Sequence, residues 1–314
     1  MNLDKPAKII LKECMALKSN ESCLIVTDKK LWPIGTALYR SSLKISKKSK
    51  LIFTDIPRTH GAEPPSDVSK EMLKYDVILL ATTKSLTHTK ARENASSRGA
   101  RIASMPGITT DMMQRALNVD FQKIRKLNNR LISRLIYKNK IQIITRKGTN
   151  IKFDLKDRKW LSDDGIYTKK GSMGNLPAGE IFIAPLEGRT SGTLVVDGSV
   201  ASLGKAHKNI TIKIKNGLIK EVNGGRTANK FKKLLKNKLY KNVAELGIGT
   251  NPKAGITGEV LEDEKVQGTF HVAFGNNKHF GGKVDVPFHV DFVIKNPTIF
   301  AGNVLIMKNG KIIH

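Results

Sequence analysis

Cysteine is scarce. Cys14 and Cys23 are the only two in 314 residues and form no CxxC pair, so the chain carries neither a disulfide framework nor a thiolate zinc site, and the cytoplasm is the expected compartment. Aromatic residues make up only 6% of the sequence, and no zinc-finger spacing or RNP-like run of glycine and aromatics supplies base stacking. No apolar stretch approaches the ~20 residues needed to cross a bilayer, which argues against a membrane protein. The opening MNLDKPAKIILKECMALK sets Ile9, Ile10, Leu11, Cys14 and Leu17 at helical spacing among charges. It therefore reads as a first helix, not as the continuous apolar core of a secretion signal. The turn after the first strand, TDKKLWPIG, lacks GxGxxG, which disfavours a dinucleotide site.

Acid is the scarce charge: 27 acidic residues face 55 basic ones, for a net charge of +28. Such a chain attracts polyanions, so a basic nucleic-acid-binding protein without catalysis is one reading. The excess is mostly lysine in short dispersed groups. In KFKKLLKNKLYK the residues Phe231, Leu234, Leu235 and Leu239 share a helical face, and the lysines read as its solvated side. Nucleic-acid binding is the disfavoured reading.

What is present is a change of texture along the chain. From Glu21 to about Asn118, short apolar runs (CLIVT, LIFTD, DVILLATT, ARIAS) alternate with helical patterns after Pro33, from Ser66 and from Lys90 to Ser97. This βαβ series implies a Rossmann-like parallel sheet with helices on both sides. A helix from about Asp120 to Tyr137 follows. After Lys140 the sequence turns β-rich, with Asn216-Gly217 and Asn309-Gly310 as hairpin signals between alternating runs. The expectation is an α/β protein: a Rossmann-like domain over residues 1–125, then a β-rich α+β domain over 126–314 that carries the metal site.

Three of the seven histidines fall between His271 and His289. In PFHVDFVI, strand alternation sends Phe288, Val290, Phe292 and Ile294 to one face and His289 and Asp291 to the other, roughly 6.6 Å apart. GTFHVAFG repeats the pattern, with Phe270, Val272 and Phe274 inward and His271 on the opposite face. Two imidazoles and a carboxylate on non-core faces suit Zn, Fe or Mn. Glu180, in NLPAGEIFIAP, opens an apolar strand. Glu245, in AELGIGTNP, is placed where a helical pattern gives way to a Gly-rich turn. Glu262, Asp263 and Glu264 form an acidic knot, read as a solvated loop just before the His271 strand.

NLPAGEIFIAP, ELGIGTNP, VLEDEK followed by GTFHVAFG, and FHVDFVI occur in the order found in the aminopeptidase T family of metallopeptidases, peptidase family M29. The segment DVILLATTKSLTHTKARENASSRGARIASMPGIT also resembles that family, so the likeness covers most of the chain. The resemblance implies a metalloaminopeptidase, a hydrolase that removes amino-terminal residues from peptides with a free amino terminus. It implies two divalent ions (Zn, Co, Mn or Mg) held by Glu180, Glu245, Glu264, His271, His289 and Asp291, with Glu245 the bridging, catalytic carboxylate. A water shared by two such ions ionises near neutrality and attacks the first peptide carbonyl. Family members commonly pair as homodimers. This chain departs from the family pattern in having no tyrosine between His271 and His289, where Lys278 and His279 stand instead.

The same likeness leaves a second reaction open. His271, His289 and Asp291 also make the facial triad of mononuclear iron oxygenases, and relatives of the family include an iron-dependent dioxygenase that opens dihydroxypyridine rings.

Overall fold

A computed structural model describes residues 3–313, which divide into two compact units. One comprises residues up to Lys123 together with Asp163–Ala178, and the other comprises Ile124–Ser162 with the residues from Gly179 onward. The architecture is the expected α/β combination of a parallel sheet with helices and a β-rich second part.

In the first unit, CLIVT and VILLA become the strands Cys23–Thr27 and Val77–Ala81, buried at every position. Continuous apolar runs of this kind belong to parallel strands covered on both faces. The sheet order is Ser49–Phe53, Cys23–Thr27, Val77–Ala81, Arg101–Ser104, Met173–Asn175, all parallel. The last strand is contributed by the returning segment after Asp163. Helices Trp32–Leu43, Ser66–Met72 and Lys90–Ser97 make the crossovers, and Thr89 caps the third by accepting from the Arg92 N–H at 3.2 Å. The amino-terminal helix is present as Asp4–Ile9, followed by a π turn over Ile10–Cys14.

The second unit holds an eight-stranded and a seven-stranded sheet. One apolar cluster draws on both, joining Ile143, Phe153 and Ile212 of the larger sheet to Leu246, Phe270 and Phe292 of the smaller. Both Asn-Gly pairs form two-residue hairpins, pairing Lys215 with Leu218 and Lys308 with Lys311. All four turn residues have positive φ: 52° and 70° at Asn216 and Gly217, 48° and 78° at Asn309 and Gly310. The lysine-rich segment departs from expectation. Its helix, Arg226–Leu234, stops because Leu235 leaves helical geometry, so Phe231 is buried while Leu234 and Leu239 are exposed. Among the described residues, no helix is long and apolar enough to cross a membrane.

Gly217 and Gly302 separate two costs of adding a side chain. Both have positive φ, but a Cβ on Gly217 would lie 2.5 Å from the Gly188 nitrogen, whereas one on Gly302 meets nothing within 4 Å. Gly302→Ala is expected to lose about 1–2 kcal/mol, the left-handed penalty alone, and Gly217→Ala clearly more. Urea midpoints of the two variants check this; equal shifts would contradict it.

Candidate metal centre

The seven-stranded sheet presents hydrocarbon on one face and chemistry on the other. In the central strand, Thr269–Gly275, the side chains of Phe270, Val272 and Phe274 enter the core, which turns His271 to the opposite face. Its neighbour His289–Lys295 buries Val290, Phe292 and Ile294 and leaves His289 and Asp291 beside His271. On the other side, Val243–Gly249 sends Val243, Leu246 and Ile248 inward. Val243 and Leu246 are three residues apart and reach one face only because the register shifts between Val243 and Glu245, a bulge that re-aims a side chain. Glu245 thereby joins the histidine face. Next along, Glu180 opens the strand Glu180–Ile183, whose Ile181 and Ile183 are in the core.

Small residues make the room. Gly247 pairs with His271 across the strands, and a Cβ there would lie 2.0 Å from His271 Nε2. The imidazole thus lies directly over a glycine.

His271 Nε2 stands 3.3 Å from both Glu180 Oε2 and Glu245 Oε1. His289 Nε2 stands 3.5 Å from Glu245 Oε2 and from Asp291 Oδ1. Glu245 therefore reaches both imidazoles. Glu264 enters through the set Glu264, His271 and Asp291, whose donor atoms lie within 4.8 Å of one another, as do those of Glu180, Glu245, His271 and of Glu245, His289, Asp291.

The His289 tautomer provides a test of fit for a metal ion. Its Nδ1 is 2.9 Å from the Asn276 carbonyl oxygen, which can only accept. Nδ1 therefore carries a proton, and in the neutral ring the Nε2 lone pair faces carboxylate oxygens. Lone pairs facing lone pairs require a proton or a cation between them, and fixing Nδ1 on a carbonyl is how metal-binding imidazoles are oriented. His271 is fully buried, and its Nδ1 has no hydrogen-bond partner among the described residues. The donor set fits a metal ion.

Charge tells the same story. Burial works against a protonated His271, yet the Glu245 hydrogen bond and the surrounding carboxylates push it up to about 9. For His289 burial is likewise outweighed, by Asp291 and Glu245, and the ring is pushed up to about 10. Burial raises Glu264 to about 8 against the pull of Lys265. Burial also opposes ionisation of Asp291, but His289 overcomes it and holds that carboxyl below its ordinary range.

All six residues expected at the site are therefore grouped on or beside one sheet face, though two of their settings differ from expectation. Glu245 lies within a fully buried strand, not at a helix end, because its flanking Val243 and Leu246 are core residues. The acidic knot is not a solvated loop: Glu262 and Asp263 are fully buried. Glu262 Oε1 accepts from the Gly255 N–H at 2.7 Å, and Asp263 accepts from Thr257 and Gly258 at 2.6 and 2.9 Å, so both pin the preceding loop. Lys278 and His279 lie on an exposed turn, where Lys278 pairs with Asp285 at 2.5 Å. Sequence reading missed Lys265, whose ammonium lies 2.5 Å from Glu180 Oε1 and 2.7 Å from Glu264 Oε1 at 2% exposure. The available signal was a single cation ending an acidic run, LEDEK. It also missed Phe280, whose ring meets those of Phe182 and His289 edge-on at centroid distances of 5.7 and 6.0 Å.

Comparison with known proteins adds a family and two solved structures of the same fold. The family model for NicX, 2,5-dihydroxypyridine 5,6-dioxygenase, matches residues 58–314. A 2,5-dihydroxypyridine 5,6-dioxygenase of Pseudomonas putida KT2440 is 24% identical over 251 residues, 75% of this chain and 71% of that one. The solved structure of the 2,5-dihydroxypyridine dioxygenase from Pseudomonas putida KT2440 superposes with a TM-score of 0.83 at 19% identity, covering 99% and 96% of the two chains. Wild-type AmpT from Thermus thermophilus superposes with a TM-score of 0.74 at 14% identity, covering 99% of each.

Two outcomes are expected of this geometry. Metal ligation needs unprotonated imidazoles, and both rings are held protonated at neutrality, so metal uptake at pH 7 should release up to two protons and tighten as pH rises towards about 9 to 10. Titration calorimetry in buffers of different ionisation enthalpy reads that number, and zero release would contradict it. Gly247→Ala should push the His271 ring aside and weaken metal binding by about 10–100-fold, the scale of losing ligand support, with the circular dichroism spectrum unchanged.

Proposed function

The chain belongs to the NicX, or 2,5-dihydroxypyridine 5,6-dioxygenase, family, and from that premise we propose that it is a metal-dependent dioxygenase that opens the ring of a dihydroxypyridine. The family match overturns the expectation of a metalloaminopeptidase. With it go the protease and hydrolase readings. The likeness to the aminopeptidase T family holds at the level of fold, through AmpT.

The observation that carries the proposal is the placement, within a chain of this family, of His271, His289 and Asp291 on one sheet face, with Glu245 within 3.5 Å of both imidazoles and Asp291 within 3.5 Å of His289. Two imidazoles and one carboxylate are the ligand set of non-haem iron oxygenases, and a ferrous ion held there would relay electrons from the dihydroxylated ring, which is the reductant, to dioxygen. The protein's own contributions are binding, orientation and proton handling. Asn276 fixes the His289 ring by accepting from its Nδ1. Glu245, within 3.5 Å of both imidazoles, is placed to accept a proton from a ring hydroxyl as the substrate ionises. Phe182 and Phe280 wall the site beside His289, and an edge-to-face or stacked contact with a flat heteroaromatic ring is what such a wall favours.

The test is anaerobic reconstitution with Fe(II), then addition of 2,5-dihydroxypyridine and dioxygen. One O2 consumed per substrate, with loss of the aromatic absorbance and no release from aminoacyl-nitroanilides, is the expected result. Glu245→Gln should lower kcat by about 10²–10⁴-fold, the usual contribution of a positioned base, and Phe280→Ala should mainly raise KM. No ring opening by iron-loaded protein would reject the reading.

A further inference from the structure

Lys265 sets a lysine ammonium within the cluster, against two of its carboxylates. It follows the short helix Val260–Asp263 and is held from both sides: its N–H donates to the Glu262 carbonyl at 2.9 Å, and its carbonyl accepts from the Asn251 N–H at 2.8 Å. Glu262 and Asp263, anchored to the loop at Gly255, Thr257 and Gly258, leave the backbone no slack. The ammonium is 2% exposed and touches Glu180 Oε1 at 2.5 Å and Glu264 Oε1 at 2.7 Å. A buried lysine stays charged only where carboxylates hold it.

The two carboxylates it holds define one end of the cluster. Glu180 belongs to the set with Glu245 and His271, and Glu264 to the set with His271 and Asp291; the remaining set, Glu245, His289 and Asp291, contains neither. A second divalent ion would need Glu180 or Glu264 among its anionic ligands, within a few ångströms of an ammonium that already binds an oxygen of each. Like charges at that separation in a buried site exclude one another. We propose that Lys265 is a built-in monovalent cation occupying the place of a second metal ion, so that the centre takes one divalent ion, at its His289 and Asp291 end. This rests on reading the cluster as a metal centre and deepens it, by assigning the residue that sets the metal count.

Titration of metal-free protein with Mn2+, read by electron paramagnetic resonance and by metal analysis after gel filtration, tests it without recourse to activity. Wild type and Lys265→Arg should bind one ion per chain with the six-line spectrum of isolated Mn2+. Lys265→Met, which keeps the volume and removes the charge, should bind two, with the six-line signal broadened or lost through spin coupling. Two ions in the wild type, or one in Lys265→Met at saturating Mn2+, overturns the proposal. Should Lys265→Met fail to fold, the wild-type and Lys265→Arg counts decide, one supporting and two overturning. No uptake by wild type removes the metal centre and the proposal together. One ion without ring opening keeps the role of Lys265 while removing the proposed reaction, and ring opening by a two-ion protein does the reverse.

Discussion

Mutual repulsion among buried acids is the constraint around which the second unit is built. Glu180, Glu245 and Asp291 are buried on one sheet face, Glu264 lies beside them, and the opposite face of the same sheet is hydrocarbon. Two like charges about 4 Å apart repel by roughly 4 kcal/mol at an effective dielectric of 20, a large share of the roughly 5–15 kcal/mol that keeps a domain folded. Three responses are visible. Lys265 neutralises one end, both imidazoles are drawn towards protonation, and Glu264 is pushed up to about 8. Each supplies positive charge or removes negative charge, and a divalent ion would do the work of the two imidazole protons at once.

Holding such a cluster requires that the hydrocarbon side be fixed first. Phe270, Val272 and Phe274 on one strand and Val290 and Phe292 on the next lock the register in which Ala273 faces Asp291 and His271 faces Val293. A one-residue slip would exchange the faces of a whole strand and drive the imidazole into the core. The bulge after Val243 is the exception that the register permits: it costs a ladder position and delivers Glu245 to the polar face while Val243 and Leu246 stay buried. The precision of the site is therefore borrowed from the packing beneath it.

This division explains what could be read in advance. The alternation in FHVDFVI and TFHVAFG is a local property with a period of two, and it placed His271, His289 and Asp291 on the correct face. Runs such as CLIVT and VILLA announce buried parallel strands, and the Asn-Gly pairs announce their hairpins, for equally local reasons. Glu245 escapes the same alternation because the bulge after Val243 breaks the period of two. Glu262 and Asp263 were read as solvated because their partners are backbone N–H groups at Gly255, Thr257 and Gly258, which leave no mark in side-chain chemistry. Lys265 was passed over because lysine is abundant in this chain, and only tertiary contact distinguishes a buried one from its many solvated counterparts.

The reaction was the part least accessible to sequence pattern, and the physical reason lies in the ligand set. Glutamates beside two histidines and an aspartate satisfy the description of a two-ion hydrolytic centre and that of a one-ion oxygenase with extra acids. The backbone does not separate them either, since AmpT and the Pseudomonas putida dioxygenase superpose on this chain with TM-scores of 0.74 and 0.83. A fold shared at that level leaves chemistry to the site. What differs between one ion and two is how the negative charge of Glu180 and Glu264 is balanced, and in this chain an ammonium already lies against both. Phe182 and Phe280 form an aromatic wall beside His289, a surface suited to a flat ring. Charge balance at one end of the cluster and shape at the other are thus set by different segments of the chain, and both are held by the same sheet.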